Sequence, residues 1–163
     1  MIRFLAGFAL IATPVAAQDI VLDISETQQC LEVVNSDPSA DFRQCIGVAA
    51  NTCMDTNDGG YSTYGMGACL SQELDWWDGQ LNYAYQELMA ASRQADGLNG
   101  DYAPSQAEAL RDMQRAWITY RDAKCDFERT QWGGGTGGSP AALSCLMYET
   151  ATQSNYLFNS VVN

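Results

Sequence analysis

The sequence predicts an all-α protein: an antiparallel helical hairpin or bundle of two long helices, with shorter helices packed against it and disulfides stapling it. Three observations carry this. Apolar residues step by three and four through Leu74, Trp77, Leu81, Ala84 or Tyr85 and Leu88, and again through Leu110, Met113, Trp117, Tyr120 and Phe127. No stretch alternates apolar and polar residues long enough to argue for a strand. Six cysteines, an even number, are spread over the chain beyond its first segment.

That first segment, Met1 to Ala17, reads as a secretory signal peptide. Arg3 precedes an apolar run from Phe4 to Ile11, Pro14 breaks it, and Val15-Ala16-Ala17 offers small side chains for cleavage before Gln18. The run is too short to span a bilayer, and no cysteine follows it to take a lipid. The expectation is a periplasmic or secreted protein without a membrane anchor, and a single helical domain over residues 18–163. Ile24 to Asn35 and Phe42 to Met54 read as short helices parted by Asp37-Pro38-Ser39. A loop is expected from Asp55 to Gly67, and a long helix is striped from Leu74. After a break at Asp96 to Pro104, Pro104-Ser105 opens the second long helix. Trp132 to Pro140 reads as a flexible connection, and Ala141 to about Val161 as a last helix.

An oxidising compartment turns the cysteines into staples. Cys30 and Cys45 flank the turn at Asn35 to Ala40, Cys125 and Cys145 flank the glycines from Gly133 to Gly138, and Cys53 is left with Cys69. Each pair closes a loop contributing about 3 kcal/mol by the chain-entropy estimate. Spacing leaves other pairings among the first four cysteines open. Metal binding is not expected, since no C-x-x-C pair exists and no histidine is present.

Charge narrows the function further. The 163 residues carry 20 acidic and 8 basic side chains, a net −12. Such a chain is a poor ligand for nucleic acid and is attracted to basic partners. Without histidine, Ser-His-Asp and Cys-His catalysis are excluded. Carboxylate pairs for hydrolysis are plentiful, but no spacing selects one. A binding protein is favoured over an enzyme, with no catalytic residues and no cofactor.

The most distinctive segment is Leu110 to Cys125, LRDMQRAWITYRDAKC. With the upstream Leu81, Asn82 and Tyr85, its Arg111, Gln114, Arg115, Trp117, Tyr120, Arg121, Asp122 and Cys125, followed by Cys145, resemble the motifs of the LprI-like family of bacterial envelope proteins. The resemblance covers roughly Cys53 to Leu157. It implies a lysozyme inhibitor: a periplasmic protein that binds a lysozyme-type muramidase by direct contact. Three features depart from the family pattern. Gln153 stands where the family usually has arginine after Thr150, the lipobox is missing, and the acidic N-terminal extension holding Cys30 and Cys45 lies outside it. Arg121 and Asp122 point about 100° apart on a helix, so each is expected to meet a polar group on a neighbouring helix rather than the other.

Candidate contact residues come from exposure and charge. Asp55 to Gly60 begins like a calcium loop, but Gly59 and Met66 stand where oxygen ligands are required, which leaves an acidic surface loop. Trp77 lies on the apolar stripe, so its neighbour Trp76 lies off it, seven residues before Tyr83. Arg111, Arg115, Arg121, Lys124 and Arg129 are five of the 8 basic residues, so a basic enzyme is steered elsewhere, toward Asp55 to Glu87. The expected contact set is Asp55, Asp58, Tyr61, Tyr64, Trp76 and Tyr83, with charge setting the on-rate and rings the buried area. The alternative is a module for some other cationic partner, without lysozyme inhibition.

Overall fold

A computed structural model describes residues 19–37, 39–100 and 102–162; the expected signal peptide, Pro38 and Asp101 lie outside the described residues. All regular structure there is helical: α1 (Ser25–Asn35), a 3-10 turn (Phe42–Cys45), α2 (Val48–Thr56), α3 (Thr63–Asn99), α4 (Gln106–Thr130) and α5 (Gly138–Val162). No helix among the described residues is long and apolar enough to cross a membrane.

Four boundaries differ from the sequence reading, each for a local reason. Phe42 to Met54 is not one helix, because Gly47 adopts φ +87° and starts α2 afresh. The loop expected from Asp55 to Gly67 shrinks to residues 57–62, with Asp55 in the last turn of α2. There Ser62 caps α3, its hydroxyl accepting from Gly65 N at 3.0 Å. Helix α3 continues through Asp96 to Asn99, since Asp96 is committed to the next helix: it accepts from the Ser105 hydroxyl and from the backbone of Gln106 and Ala107. Ser105 in turn accepts from Glu108 N, so three otherwise orphaned donors at the start of α4 are satisfied. Helix α5 starts at Gly138, inside the expected flexible connection.

The bundle has three long helices, not two, and α3 packs most extensively on α5. The buried face of α5 explains the preference. Met147, Thr150, Ala151, Ser154 and Leu157 recur at helical spacing, and the small members let the two helices approach closely. One core cluster joins Ala50, Cys53, Met54, Cys69, Leu70, Trp77, Met147 and Ala151, with Ile20, Leu22 and Leu31 of the N-terminal segment laid over it. A second gathers Leu81, Ala84, Met89, Leu110 and Leu157, flanked by Tyr85, Met113 and Trp117. Helix α4 covers only this second cluster and buries just Leu110 and Cys125 fully.

Tyr120 and Phe127, expected on the stripe of α4, are therefore exposed. The inward face of α4 passes instead through Cys125 and through Arg121 and Lys124, two polar residues that a search for apolar steps skips. Three disulfides tie the elements: Cys30–Cys45 holds α1 to the 3-10 turn, Cys53–Cys69 holds α2 to α3, and Cys125–Cys145 holds α4 to α5.

Candidate functional site

Two surfaces carry the expected contact residues, and they are separate. The first is the knuckle between α2 and α3. Asp55, Asp58, Tyr61 and Tyr64 are all exposed there, the two tyrosines by 64% and 66%. The Tyr61 hydroxyl donates to the Asp55 carboxylate, and this bond holds the phenol above its ordinary pKa. The knuckle is tightly wound. A Cβ on Gly60 would lie 2.2 Å from the Met54 carbonyl oxygen, and one on Gly65 2.2 Å from that of Gly59, so the chain is wound backbone against backbone. The Cys53–Cys69 disulfide closes it behind.

The second surface holds Trp76 and Tyr83. Trp76 is twelve residues from Tyr64 along α3, about 18 Å at 1.5 Å per residue and turned by roughly 120°. It lines a cavity of about 350 Å³ between α1, the 3-10 turn, α3 and α5. Its ring meets Trp77 edge-on at 4.7 Å, and Tyr83 lies 5.9 Å from Phe158 of α5. Trp76 is half-buried and Tyr83 exposed. The N-terminal elements form one wall of this groove without covering it.

The motif residues lie mostly along α4 and its junction with α5. Leu81 is buried and Tyr85 half-buried; Asn82 is exposed and donates to Asp78. Arg121 corrects one expectation: its guanidinium does pair with Asp122, at 2.8 and 2.9 Å, because the long side chain folds back across the 100° between them. It also reaches Thr150 Oγ1 at 3.4 Å and stacks over Trp117, 5.0 Å from the ring centre. Gln153 donates to Gln114 at 3.0 Å. Lys124 donates to the half-buried Glu149, which raises the lysine's pKa. Arg111 and Arg129 pair with acids on their own helix, while Arg115 is exposed. The basic residues of α4 are thus largely matched locally, and the unmatched negative charge lies on the N-terminal segment, the knuckle and α3.

One residue escaped the sequence reading. Glu73 is fully buried and its carboxylate accepts four hydrogen bonds: from Thr27 Oγ1 (3.1 Å), Gly47 N (2.8 Å), Ala50 N (2.7 Å) and Trp77 Nε1 (3.1 Å). It sits at the N-terminus of α2, where backbone donors and the helix dipole favour an anion. Its position four residues before Trp77, a charge on the apolar stripe, was the available signal. With both carboxylate oxygens engaged by these four donors, it organises structure. No group of three or more potential metal ligands occurs among the described residues.

The model of the lysozyme inhibitor LprI family matches residues 53–157. An uncharacterized protein of Rhizobium meliloti (strain 1021) is 35% identical over 81 residues, 48% of this chain and 58% of that protein. The uncharacterized protein YecT of Escherichia coli (strain K12) is 32% identical over 96 residues, 55% of this chain and 59% of its own. An uncharacterized 17.7 kDa protein of Rhodobacter capsulatus, in the puhA 5' region, is 22% identical over 137 residues, 82% and 83% of the two chains. The matches thus span less than two thirds of the first two relatives. No solved structure matches.

Proposed function

The chain belongs to the lysozyme inhibitor LprI family, and from that premise we propose that it is an exported periplasmic protein that inhibits a lysozyme-type muramidase by direct contact. The proposal includes removal of residues 1–17 as a signal peptide, and one helical domain, residues 18–163, that acts by binding and not by catalysis. The observation that carries it is the knuckle, where two exposed carboxylates and two exposed tyrosines sit on closely wound backbone tied by the Cys53–Cys69 disulfide. A basic enzyme approaching a chain of net −12 gains electrostatic steering. Tyr61 and Tyr64 then supply buried area, and the disulfide cross-link behind them reduces the ordering cost of docking. Trp76 and Tyr83, further along α3, are not part of this surface.

The test is inhibition of peptidoglycan lysis by a basic lysozyme as the protein is titrated in at low salt. Inhibition that weakens with added salt is expected, because exposed charges are screened. No inhibition at tens of micromolar overturns the proposal and favours a different cationic partner for the same surface.

A further inference from the structure

The groove around Trp76 has a chemistry unlike the rest of the surface. Among the described residues, no titratable side chain lines its 350 Å³ cavity, although the protein carries a net −12. Phe42, Trp76 and Phe158 present rings to it, and Asn35, Gln80 and Asn155 present amides. Among the described residues these three amides, and the indole N–H of Trp76, have no hydrogen-bond partner. The groove therefore offers apolar faces beside uncommitted donors and acceptors.

A shallower cavity continues it. Phe42, Asn155 and Asn159 line both, and the second runs across α5 to Thr152, Tyr156 and Ser160. Arg43 on its rim is paired with Asp41 at 3.2 Å, so the extension is also close to neutral. Beside the groove Tyr83 lies 5.9 Å from Phe158, its ring tilted by 39°. The principal ring is held in place: Trp76 packs edge-on against Trp77, whose indole N–H is bound by buried Glu73.

These features select a ligand class. Apolar rings ask for a flat C–H face, and unpaired amides ask for hydroxyls that both donate and accept. The lack of charge asks for a neutral molecule, and the elongated shape for a short chain. An aliphatic protein helix would fit poorly, since it would bury the amides and the indole N–H without partners. A pyranose ring has an apolar C–H face and a rim of hydroxyls. We propose that the groove between α1, α3 and α5 binds an uncharged oligosaccharide, with Trp76 as the stacking platform and Gln80 and Asn155 as hydroxyl ligands. The cavity volume sits at the low end of the range of about 300–1,000 Å³ for small-molecule sites.

The experiment is a nuclear magnetic resonance titration of the full protein, without lysozyme, using cellotetraose and tetra-N-acetylchitotetraose as probes. Saturable shifts of the Trp76 indole and the Gln80 and Asn155 amides are expected with at least one probe, unchanged between low and high salt. Which probe responds reports whether acetamido groups are read. Trp76→Ala should weaken binding by roughly tenfold, the loss of an aromatic anchor. Gln80→Ala, a change at a half-exposed helical position, should also weaken it, and neither variant should alter lysozyme inhibition. The proposal is overturned if neither probe gives a saturable shift at millimolar concentration, or if binding is indifferent to both substitutions. It is equally overturned if Trp76→Ala and Gln80→Ala abolish lysozyme inhibition, which would make the groove the protein-binding face. Asn replacements of Asp55 and Asp58 act on the inhibitory surface alone, so the two readings fail separately.

Discussion

Replacing Glu73 by alanine should be among the most damaging single changes available to this protein. The carboxylate fastens α1 through Thr27, starts α2 through Gly47 N and Ala50 N, and orients Trp77 of its own helix. Glu73→Ala would leave two backbone donors and an indole N–H buried without partners, and would strand the Thr27 O–H, whose oxygen keeps only the bond it accepts from Ala49 N. Each stranded donor costs about 1–3 kcal/mol. Water entering the vacated space would recover part of that sum, so the net loss should be about 3–5 kcal/mol, as when one partner of a buried charged network is removed. Glu73→Gln is the informative comparison. Its amide oxygen, placed where Oε1 now accepts from Thr27, Gly47 and Trp77, keeps three bonds, while its NH2 faces Ala50 N–H. One bond lost and two donors opposed should cost about 1–3 kcal/mol, less than alanine. Urea unfolding followed by circular dichroism, with disulfides intact, measures both. Amide exchange at Gly47 and Ala50 should report the same order locally. A loss below about 1 kcal/mol for Glu73→Ala, or a glutamine variant less stable than the alanine one, would refute the view of Glu73 as the clamp.

Gly65→Ala should destabilise by on the order of 1–3 kcal/mol, because its Cβ would meet the backbone oxygens of Gly59 and Gly60 at 2.2 and 2.6 Å. Gly79→Ala, with nothing within 4 Å of the added carbon, should instead stabilise α3 by about 0.5–1 kcal/mol in thermal melts. The Asp96 carboxyl is held below its ordinary pKa of 3.8, first by Ser105 and then by the backbone of Gln106 and Ala107. Its contribution is present above the unfolded value and is lost as pH falls through the lower folded one. The Tm difference between wild type and Asp96→Asn should therefore shrink as the pH falls below the unfolded value; a constant difference would show that the cap does not depend on charge. In surface plasmon resonance with a basic lysozyme, the Asp55→Asn, Asp58→Asn double variant should slow association and flatten its salt dependence. Tyr64→Ala should instead speed dissociation, by roughly tenfold for a modest aromatic anchor; unchanged rates in both would move the contact elsewhere. Non-reducing peptide mapping should recover Cys125 joined to Cys145 and no free thiol.

Much of the framework was legible because it is local. Helical spacing on α3 and α4, the turn near Asp37, and Ser105 at the head of α4 depend on residues within a few positions of one another. The family motif was legible for the same reason, as a contiguous run along α4. Function was less legible. The run Trp117 to Cys125 marks membership, yet its residues serve the junction with α5, and the proposed contact residues lie outside it, on the knuckle.

The sequence by itself determined that the chain is helical, that it is acidic, and that its cysteines can close three short loops. Period, charge and spacing along the chain suffice for these. Only the tertiary structure decided that α5 and not α4 is the principal partner of α3, because the choice rests on small and polar residues, Thr150, Ala151 and Ser154, that make no apolar stripe. It also decided that Glu73 is a buried clamp, since a carboxylate's environment is made by donors from Thr27, Gly47 and Ala50, remote in sequence. And it separated Trp76 from Tyr64: both are aromatics on one helix, but the rotation of that helix and the walls from α1 and α5 place one half-buried in a neutral groove and leave the other exposed on an acidic knuckle.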